Sequence, residues 1–389
     1  ALIPLFFNTI RLLNVLFVIN CHRASTSGNI RTLGWNLSPE DLKHIPEHWL
    51  SYPEPEPILN YALGVLYIFF MLIALIGNGL VIWIFSTAKT LRTPSNIFVV
   101  NLAICDFLMM SKTPIFIYNS FKLGYALGHR ACQIFALLGS FSGIGASATN
   151  AVIAYDRYRV IATPFAPKLS RTKAVLYLAL VWAYVTPWAL LPLFEQWSRF
   201  VPEGFLTSCT FDYLTPTSEI RNFVTVMFFI CYVFPMSLII YFYSQIVSHV
   251  IIHEHNLREQ AKKMNVESLR SNANMHTQSA EIRIAKAAIT ICFLFVASWT
   301  PYAVLALIGA YGNQDLLTPA VTMIPACACK AVACVDPYVY AISHPRYRQE
   351  LSKKFPWLDI KEAPAPSSVD ANSTATEMTL PTQTSPAEA

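Results

Sequence analysis

The chain has 389 residues, of which 54% are hydrophobic and 13% charged, and its formal net charge at pH 7 is +5. The mean hydropathy of +0.43 and the scarcity of charge exclude a disordered chain and a nucleic-acid-binding module. A protein of this composition is expected to cross a membrane several times.

The first 57 residues are predicted to form an extracellular tail. Residues 1–20 are apolar but interrupted by Arg11, and both a signal peptide and an extension outside the fold stay open for them. Residues 21–57 are polar and contain spaced prolines, which is typical of an exposed segment. Asn36 begins an Asn-Leu-Ser triplet and is the predicted glycosylation site, although such triplets often arise by chance.

Seven apolar spans follow, at about 58–85, 95–119, 132–159, 174–194, 222–247, 284–309 and 318–342. Spans of this length are helices, because a helix satisfies its own backbone hydrogen bonds in lipid. Most of the 28 Lys and Arg residues lie on one side of these spans, which the positive-inside rule makes cytoplasmic. The predicted fold class is an all-α membrane protein. Residues 58–355 form a seven-transmembrane helix bundle with a short amphipathic eighth helix, and 356–389 a disordered cytoplasmic tail.

The nine cysteines fall into groups by position. Six lie in apolar spans and are predicted to be small core residues: Cys105, Cys231, Cys292, Cys327, Cys329 and Cys334. Cys132 and Cys209 lie at outer helix ends or loops, where an oxidising environment permits a disulfide. Because Cys21 lies in the tail, elimination favours a Cys132–Cys209 pair.

The seventh span carries Lys330 near the middle of the membrane. An ionised lysine there costs about 2.5–3.5 kcal/mol on insertion scales, and condensation with an aldehyde would remove that cost. The residues three and four positions away are all small, and they leave a groove for a bulky ligand. Close helix packing is the other explanation of these neighbours, which are Ala326, Cys327, Ala333 and Cys334. Packing alone does not explain the lysine.

The inner end of the third span carries the triplet Asp156-Arg157-Tyr158. Arg157 at a membrane edge often only extends its side chain to the interface. Glu281 begins the sixth span on the same side, however, so that Arg157 and Glu281 can form a reversible ion pair between two helices.

Polar residues and prolines within the spans complete this pattern. Asn78, Asp106 and Asp336 are expected to face a shared interior. Five spans contain a proline, which is typical of kinked helices: Pro114, Pro187, Pro235, Pro301 and Pro337. Over residues 58–355 the combination resembles class A G-protein-coupled receptors.

Lys330 narrows this resemblance to the animal opsins. It lies six residues before the motif Asp336-Pro337-x-x-Tyr340, where that family has its retinal attachment lysine. The run SWTP resembles the family's toggle motif, which implies that Trp299 and Tyr302 contact the chromophore.

The second extracellular loop of the opsins, which covers the retinal pocket, resembles the VPEG and SC runs that contain Glu203 and Cys209. The same match pairs Cys209 with Cys132. Phe135, also implied to line the retinal pocket, lies where vertebrate visual opsins have a glutamate counterion. The resemblance to invertebrate opsins then makes Glu203 the counterion, whereas without it Glu203 would be a solvated loop carboxylate. Asp336 departs from the asparagine of most receptors and leaves the switch role of its motif open.

Two further features are similar to arthropod visual opsins. They are the HPRYR motif that begins at His344 and the ESLRSNAN run in the third inner loop, and both imply a Gq-type G protein. Lys112 resembles a lysine of the arthropod ultraviolet-sensitive opsins, which implies a role in spectral tuning. The alternative for Lys112 is a side chain that reaches the outer interface.

The resemblance implies a light-activated receptor and not an enzyme. Lys330 would carry 11-cis-retinal or 11-cis-3-hydroxyretinal as a Schiff base, and Tyr243 and Tyr340 would stabilise the active form. The implied partners are a heterotrimeric Gq-type G protein, arrestin, a receptor kinase and membrane lipid. The implied location is a multi-pass position in the cell membrane, in the rhabdomeric photoreceptor membrane. No metal or nucleic acid is expected.

Other functions stay open from the sequence. A receptor for a diffusible amine or peptide would make Lys330 accidental. A light-driven pump or channel also uses a lysine in its last helix, but the Asp156-Arg157-Tyr158 triplet and the basic third loop would not help transport. A retinal photoisomerase or a non-visual opsin is compatible with every motif above.

Overall fold

The computed structural model describes residues 31–163, 167–264 and 272–358. Within these ranges seven helices are long and apolar enough to cross a membrane, as the sequence predicted. They are α1 (Pro57–Thr87), α2 (Pro94–Phe121), α3 (Gly128–Ala162), α4 (Arg171–Leu190), α5 (Ser218–Met227, Phe228–Val233 and Phe234–Met264), α6 (Asn272–Tyr311) and α7 (Pro319–Ser343). The predicted extension at 1–20 and the tail after 358 lie outside the described residues.

Local sequence signals determine where several of these helices begin. The side chains of Thr93, Ser170 and Thr217 each accept a hydrogen bond from a backbone N–H of the first turn of α2, α4 and α5. This capping satisfies donors that have no partner within the helix.

The predicted kinks take different forms in different helices. In α2 the helix is interrupted at Lys112, between the segments Pro94–Ser111 and Thr113–Phe121. Pro114 is the second residue of the outer segment, and proline has no N–H to continue the helical ladder. In α5 the residues Phe228–Val233 form a π-helical segment that ends two residues before Pro235. Such a segment shifts the register of the side chains that follow it.

Helix α3 packs against its neighbours on several sides. It contacts α2, α4 and α5 along its length and also contacts both strands of a hairpin. Small residues fill its middle section between Ser142 and Ala151, and nearly all of them are buried. Small side chains let neighbouring helices approach closely in a membrane protein.

The β-hairpin lies between α4 and α5 and consists of β1 (Phe200–Glu203) and β2 (Ser208–Phe211). The strands are antiparallel, and Glu203 is opposite Ser208. A disulfide joins Cys209 of β2 to Cys132 of α3, which confirms the pair expected from the sequence. The hairpin is thereby fixed over the outer end of the bundle.

Residues 31–56 differ from the predicted exposed segment, because they fold over the same outer end. Leu33, Ile45 and Trp49 are buried in a cluster with residues of α1 and the hairpin. The His48 Nε2–H donates to the Leu317 carbonyl oxygen at 2.8 Å. The segment is polar on average, so its composition did not reveal that these three apolar residues are buried against the bundle. Asn36, the predicted glycosylation site, is exposed.

The predicted eighth helix is present as α8 (Pro345–Lys354). Its Tyr347 and Leu351 are buried, and the Tyr347 ring stacks on Phe85 of α1 at 5.3 Å between centroids. Its basic residues Lys353 and Lys354 lie in the last turn, where positive charge complements the helix dipole.

We expect Trp49→Ala to lower the free energy of unfolding by about 3–5 kcal/mol, because it leaves a cavity under the outer cap. Trp49 is only 1% exposed. Trp35→Ala is the matched control, since Trp35 is 50% exposed and should cost much less. Thermal unfolding in detergent measures both. Equal losses in the two variants would show that the cap is not packed as described.

Candidate functional site

An internal cavity lies beneath the hairpin, between α2, α3, α5, α6 and α7. Most of its lining side chains are apolar. Three charged side chains, Lys112, Glu203 and Lys330, open into it. An apolar cavity with a few converging polar groups is the usual form of a small-molecule site.

Lys330 is 7% exposed and reaches the cavity from the middle of α7. Its Nζ donates a hydrogen bond to the Ala326 carbonyl oxygen at 2.9 Å, and the Tyr67 ring centroid is 5.9 Å away. Among the described residues no carboxylate lies within 4.0 Å of this amine. The amine is therefore buried and held by neutral groups.

Only one of the four small neighbours of Lys330 belongs to the predicted ligand groove. Ala326 lines the cavity. Cys327 contacts the Tyr67 hydroxyl at 3.6 Å, and the Cys334 Sγ lies 3.4 Å from the Phe70 carbonyl oxygen. The Ala333 carbonyl accepts a hydrogen bond from Asn78 Nδ2 at 2.8 Å. Three of the four neighbours thus serve the close packing of α7 on α1, the alternative explanation of their size.

Lys112 points into the bundle and does not reach the outer interface. It is 5% exposed and lies at the interruption of α2. Its Nζ is 4.2 Å from the centroid of the Phe135 ring, a cation–π distance. The side chain is directed toward α3, which sequence spacing did not reveal.

Glu203 is 3% exposed, so it is not a solvated loop carboxylate. Its Oε1 accepts a hydrogen bond from the Tyr213 hydroxyl at 2.7 Å, and the Tyr302 hydroxyl lies 3.3 Å from the same oxygen. Tyr302 also donates to Thr210 Oγ1 at 2.6 Å. Burial raises the pKa of the Glu203 carboxyl above its usual range, while the Tyr213 donor opposes that rise.

Tyr213 and Thr210 were missed from the sequence. Tyr213 follows β2 and Thr210 lies within it, and neither belongs to a recognisable motif. Tyr213 reaches Glu203 although it lies beyond the last paired residue of β2, and Thr210 is connected to Glu203 through the Tyr302 hydroxyl.

The aromatic residues predicted for the pocket all line the cavity: Phe135, Trp299 and Tyr302. The Trp299 ring stacks on Phe295 at 5.6 Å and meets α3 at Gly143, where an added Cβ would lie 2.5 Å from the indole. Glycine at this position permits the close approach of the two helices.

The inner end of the bundle contains the predicted switch residues. Arg157 forms an ion pair with Asp156, and Ser95 Oγ donates to Asp156 Oδ1 at 3.0 Å. The Tyr158 ring lies 5.5 Å from the Phe242 ring. The side chain of Glu281 lies outside the described part of the chain, so its pairing with Arg157 stays a prediction.

The motif of α7 includes a buried carboxyl pair. Asp336 and Asp106 are both buried and lie close to each other, and one oxygen of each, Asp336 Oδ1 and Asp106 Oδ2, has no hydrogen-bond partner among the described residues. Two neighbouring carboxyl groups can form a hydrogen bond only when one of them carries a proton. Pro337 packs against Gly77 of α1. The side chain of Tyr340 is outside the described residues.

Two other residues at this end make defined contacts. The Cys292 Sγ is 3.7 Å from the Tyr243 hydroxyl, which connects α5 with α6. His344 caps α8, because its Nδ1 accepts the Tyr347 N–H at 3.2 Å. Burial lowers the pKa of His344 to about 4, and Arg157 and Arg346 add to that effect. The structural role of this histidine within the HPRYR motif was not predicted.

Comparison with known proteins identifies relatives that cover most of the chain. The family model "7 transmembrane receptor (rhodopsin family)" matches residues 77–340. The chain is 68% identical to "Opsin, ultraviolet-sensitive" of Apis mellifera, over 90% of this chain and 94% of that protein. It is 62% identical to "Opsin Rh3" of Drosophila melanogaster, over 91% and 93%. The crystal structure of squid rhodopsin matches with a TM-score of 0.75 and 33% identity, over 81% of this chain and 90% of that one.

We expect Tyr213→Phe to lower the free energy of unfolding at neutral pH by about 1–3 kcal/mol, because a buried carboxylate loses a donor. The loss should shrink as the pH falls, since a protonated Glu203 depends less on that donor. Thermal unfolding at several pH values measures it. Tyr61→Phe, at an exposed tyrosine, is the control and should change little at any pH. A loss that is independent of pH would contradict the role of Tyr213.

Proposed function

The chain belongs to the rhodopsin family of seven-transmembrane receptors and, within it, to the opsins, and from this membership we propose how its cavity binds retinal and controls signalling. It is a multi-pass membrane protein of photoreceptors, a light-activated receptor that acts on a G protein, and not an enzyme. Its relatives among the insect opsins make it an ultraviolet-sensitive visual pigment.

The cavity suits an elongated apolar aldehyde. Its walls are mainly apolar, and the amine of Lys330 is the buried nucleophile that opens into it. Lysine amines form Schiff bases with carbonyl compounds. This buried amine in an apolar cavity is the observation that carries the proposal. Bound retinal supplies light absorption and a change of shape; we propose the 11-cis form, or its 3-hydroxy derivative, attached at Lys330.

Glu203 is the counterion of this proposal. It lies beneath the hairpin in the same cavity as Lys330 and is in contact with no described cation within 4.0 Å. Its negative charge favours a proton on Lys330 Nζ, and the Tyr213 and Tyr302 hydroxyls keep that charge in place.

Lys112 opposes Glu203 and sets the spectral range. At an effective dielectric constant of about 20, two positive charges about 6 Å apart repel by roughly 3 kcal/mol, a hundredfold loss of proton affinity. Burial also disfavours the charged form of the linkage. A linkage without the proton on Lys330 Nζ absorbs in the near ultraviolet, whereas a protonated one absorbs in the visible.

Signalling passes from the cavity to the inner end of the bundle. Trp299 contacts both the cavity and α3, so a change in cavity shape acts on α6. Outward movement of α6 would separate Arg157 from Glu281, while Tyr243, Tyr340 and the Asp336-Pro337 segment stabilise the new arrangement. The exposed groove would bind a G protein of the Gq type, and arrestin and a receptor kinase would act on the same face. The basic residues of α8 would contact anionic lipid.

We expect Lys330→Ala to fold and reach the membrane but to form no pigment with 11-cis-retinal, because the amine that binds the aldehyde is gone. The absorption spectrum after reconstitution is the measurement. Lys286→Ala, at an exposed lysine of α6, should give a normal pigment. An unchanged spectrum in Lys330→Ala would refute the proposed attachment site.

We expect Lys112→Glu to move the absorption maximum from the near ultraviolet to the visible. The substitution replaces a repelling cation with an anion that favours the proton on Lys330 Nζ. The dark spectrum of the reconstituted pigment measures this shift, and Lys122→Glu, outside the cavity, is the control. A variant that still absorbs in the ultraviolet would remove Lys112 from spectral tuning.

A further inference from the structure

Lys112 lies against two residues of α3 that are one helical turn apart. Its Nζ is 4.2 Å from the centroid of the Phe135 ring. A Cβ built on Gly139 would lie only 2.2 Å from the same Nζ. The ammonium therefore occupies the space that any side chain at position 139 would need. We call the Phe135 ring together with Gly139 the Lys112 subsite.

We propose that the Lys112 subsite is a specificity-determining element, which holds the ammonium at a fixed place in the cavity and thereby sets the spectral range of the pigment. The inference rests on the proposed function of Lys112. It gives Phe135 an effect opposite to that of a counterion, because the ring holds a second cation in the cavity, and that cation disfavours a proton on Lys330 Nζ.

The ring has no competitor for this cation within ion-pairing distance. No carboxylate among the described residues lies within 4.0 Å of Lys112 Nζ. Glu203, which shares the cavity, is already bonded to Tyr213. A cation–π contact gains strength when both groups are removed from water, and Lys112 and Phe135 are both buried.

Glycine at position 139 is the second requirement. A methyl group there must displace the ammonium, because Nζ is the mobile end of a flexible side chain and the α3 backbone is not. For two cations in general, an increase in separation from about 6 to about 9 Å weakens the repulsion enough to raise the proton affinity about fivefold, and an effect of this size is expected at Lys330 Nζ when the Lys112 ammonium is displaced. The Lys112 subsite thus affects the proton affinity at Lys330 Nζ indirectly, by fixing the position of the Lys112 ammonium.

The first experiment uses the full chain without retinal. The protein is labelled with ¹³C at the lysine ε-carbon, and Lys112→Met assigns the Lys112 signal. A methylene over an aromatic face shows an upfield ring-current shift. We expect that shift in the wild type and in Phe135→Tyr, which keeps the ring, and its loss in Phe135→Leu and Gly139→Ala. A wild-type signal without the shift would overturn the proposal.

The second experiment measures absorption and its acid titration after reconstitution with 11-cis-retinal. Gly139→Ala and Phe135→Leu should take up the proton at higher pH than the wild type, with about a fivefold rise in affinity. In a double variant with Lys112→Met, neither substitution should change the proton affinity further, because the ammonium on which it acts is already absent. Gly79→Ala is the matched control, since its Cβ would meet the nearest side chain, Phe107, at 3.8 Å and so fits without displacement.

The outcomes separate this proposal from the one on which it rests. If Lys112→Met leaves the spectrum unchanged while the ring-current shift is present, the spectral role of Lys112 fails. If Lys112→Met changes the spectrum but Gly139→Ala and Phe135→Leu titrate as the wild type, the positioning role of the Lys112 subsite is wrong. If Gly139→Ala forms no pigment, the comparison of Phe135→Leu with Phe135→Tyr tests the positioning role: a higher proton affinity in Phe135→Leu alone supports it, and equal titrations contradict it.

Discussion

The burial of three charged side chains in one apolar cavity is the constraint on which the rest of the structure depends. Lys112, Glu203 and Lys330 are each almost fully buried, and no two of them form an ion pair within 4.0 Å. Charges removed from water are costly unless nearby groups stabilise them. Neutral groups do so here, namely carbonyl, hydroxyl and aromatic partners. A proton can therefore be gained or lost at one of these three side chains without breaking a direct salt bridge between them.

The outer end of the molecule protects this arrangement from water. The hairpin supplies Glu203 and the tyrosine that bonds it, and the disulfide of Cys209 to Cys132 fixes the hairpin on α3. Residues 31–56 add a second layer, anchored by Trp49. Exclusion of water lowers the local dielectric constant, so charges several ångströms apart still influence each other. The same layer thus gives both stability and electrostatic control.

The inner end uses polar pairs of a different kind. Asp156 is bonded to Arg157 on its own helix, whereas Asp106 of α2 and Asp336 of α7 are two buried carboxyl groups that lie close together. Like charges held close together repel, so any separation of α2 from α7 changes the electrostatic energy of this pair. Trp299, packed on Gly143 of α3, lies between the two ends and connects the cavity with α6.

Sequence by itself determined the seven spans, the disulfide pair and the lysine in α7, because hydrophobic length and residue type are local properties. It also named Glu203, Lys112 and Phe135 as residues of one site, through their resemblance to opsins. It could not show that Tyr213 bonds Glu203, that Trp49 is buried, or that most small neighbours of Lys330 pack on α1. These facts depend on contacts between segments that are distant in the sequence. The side that Lys112 faces was likewise decided only by the space that α3 leaves at Gly139, since a pattern along one helix does not specify what its neighbour leaves empty.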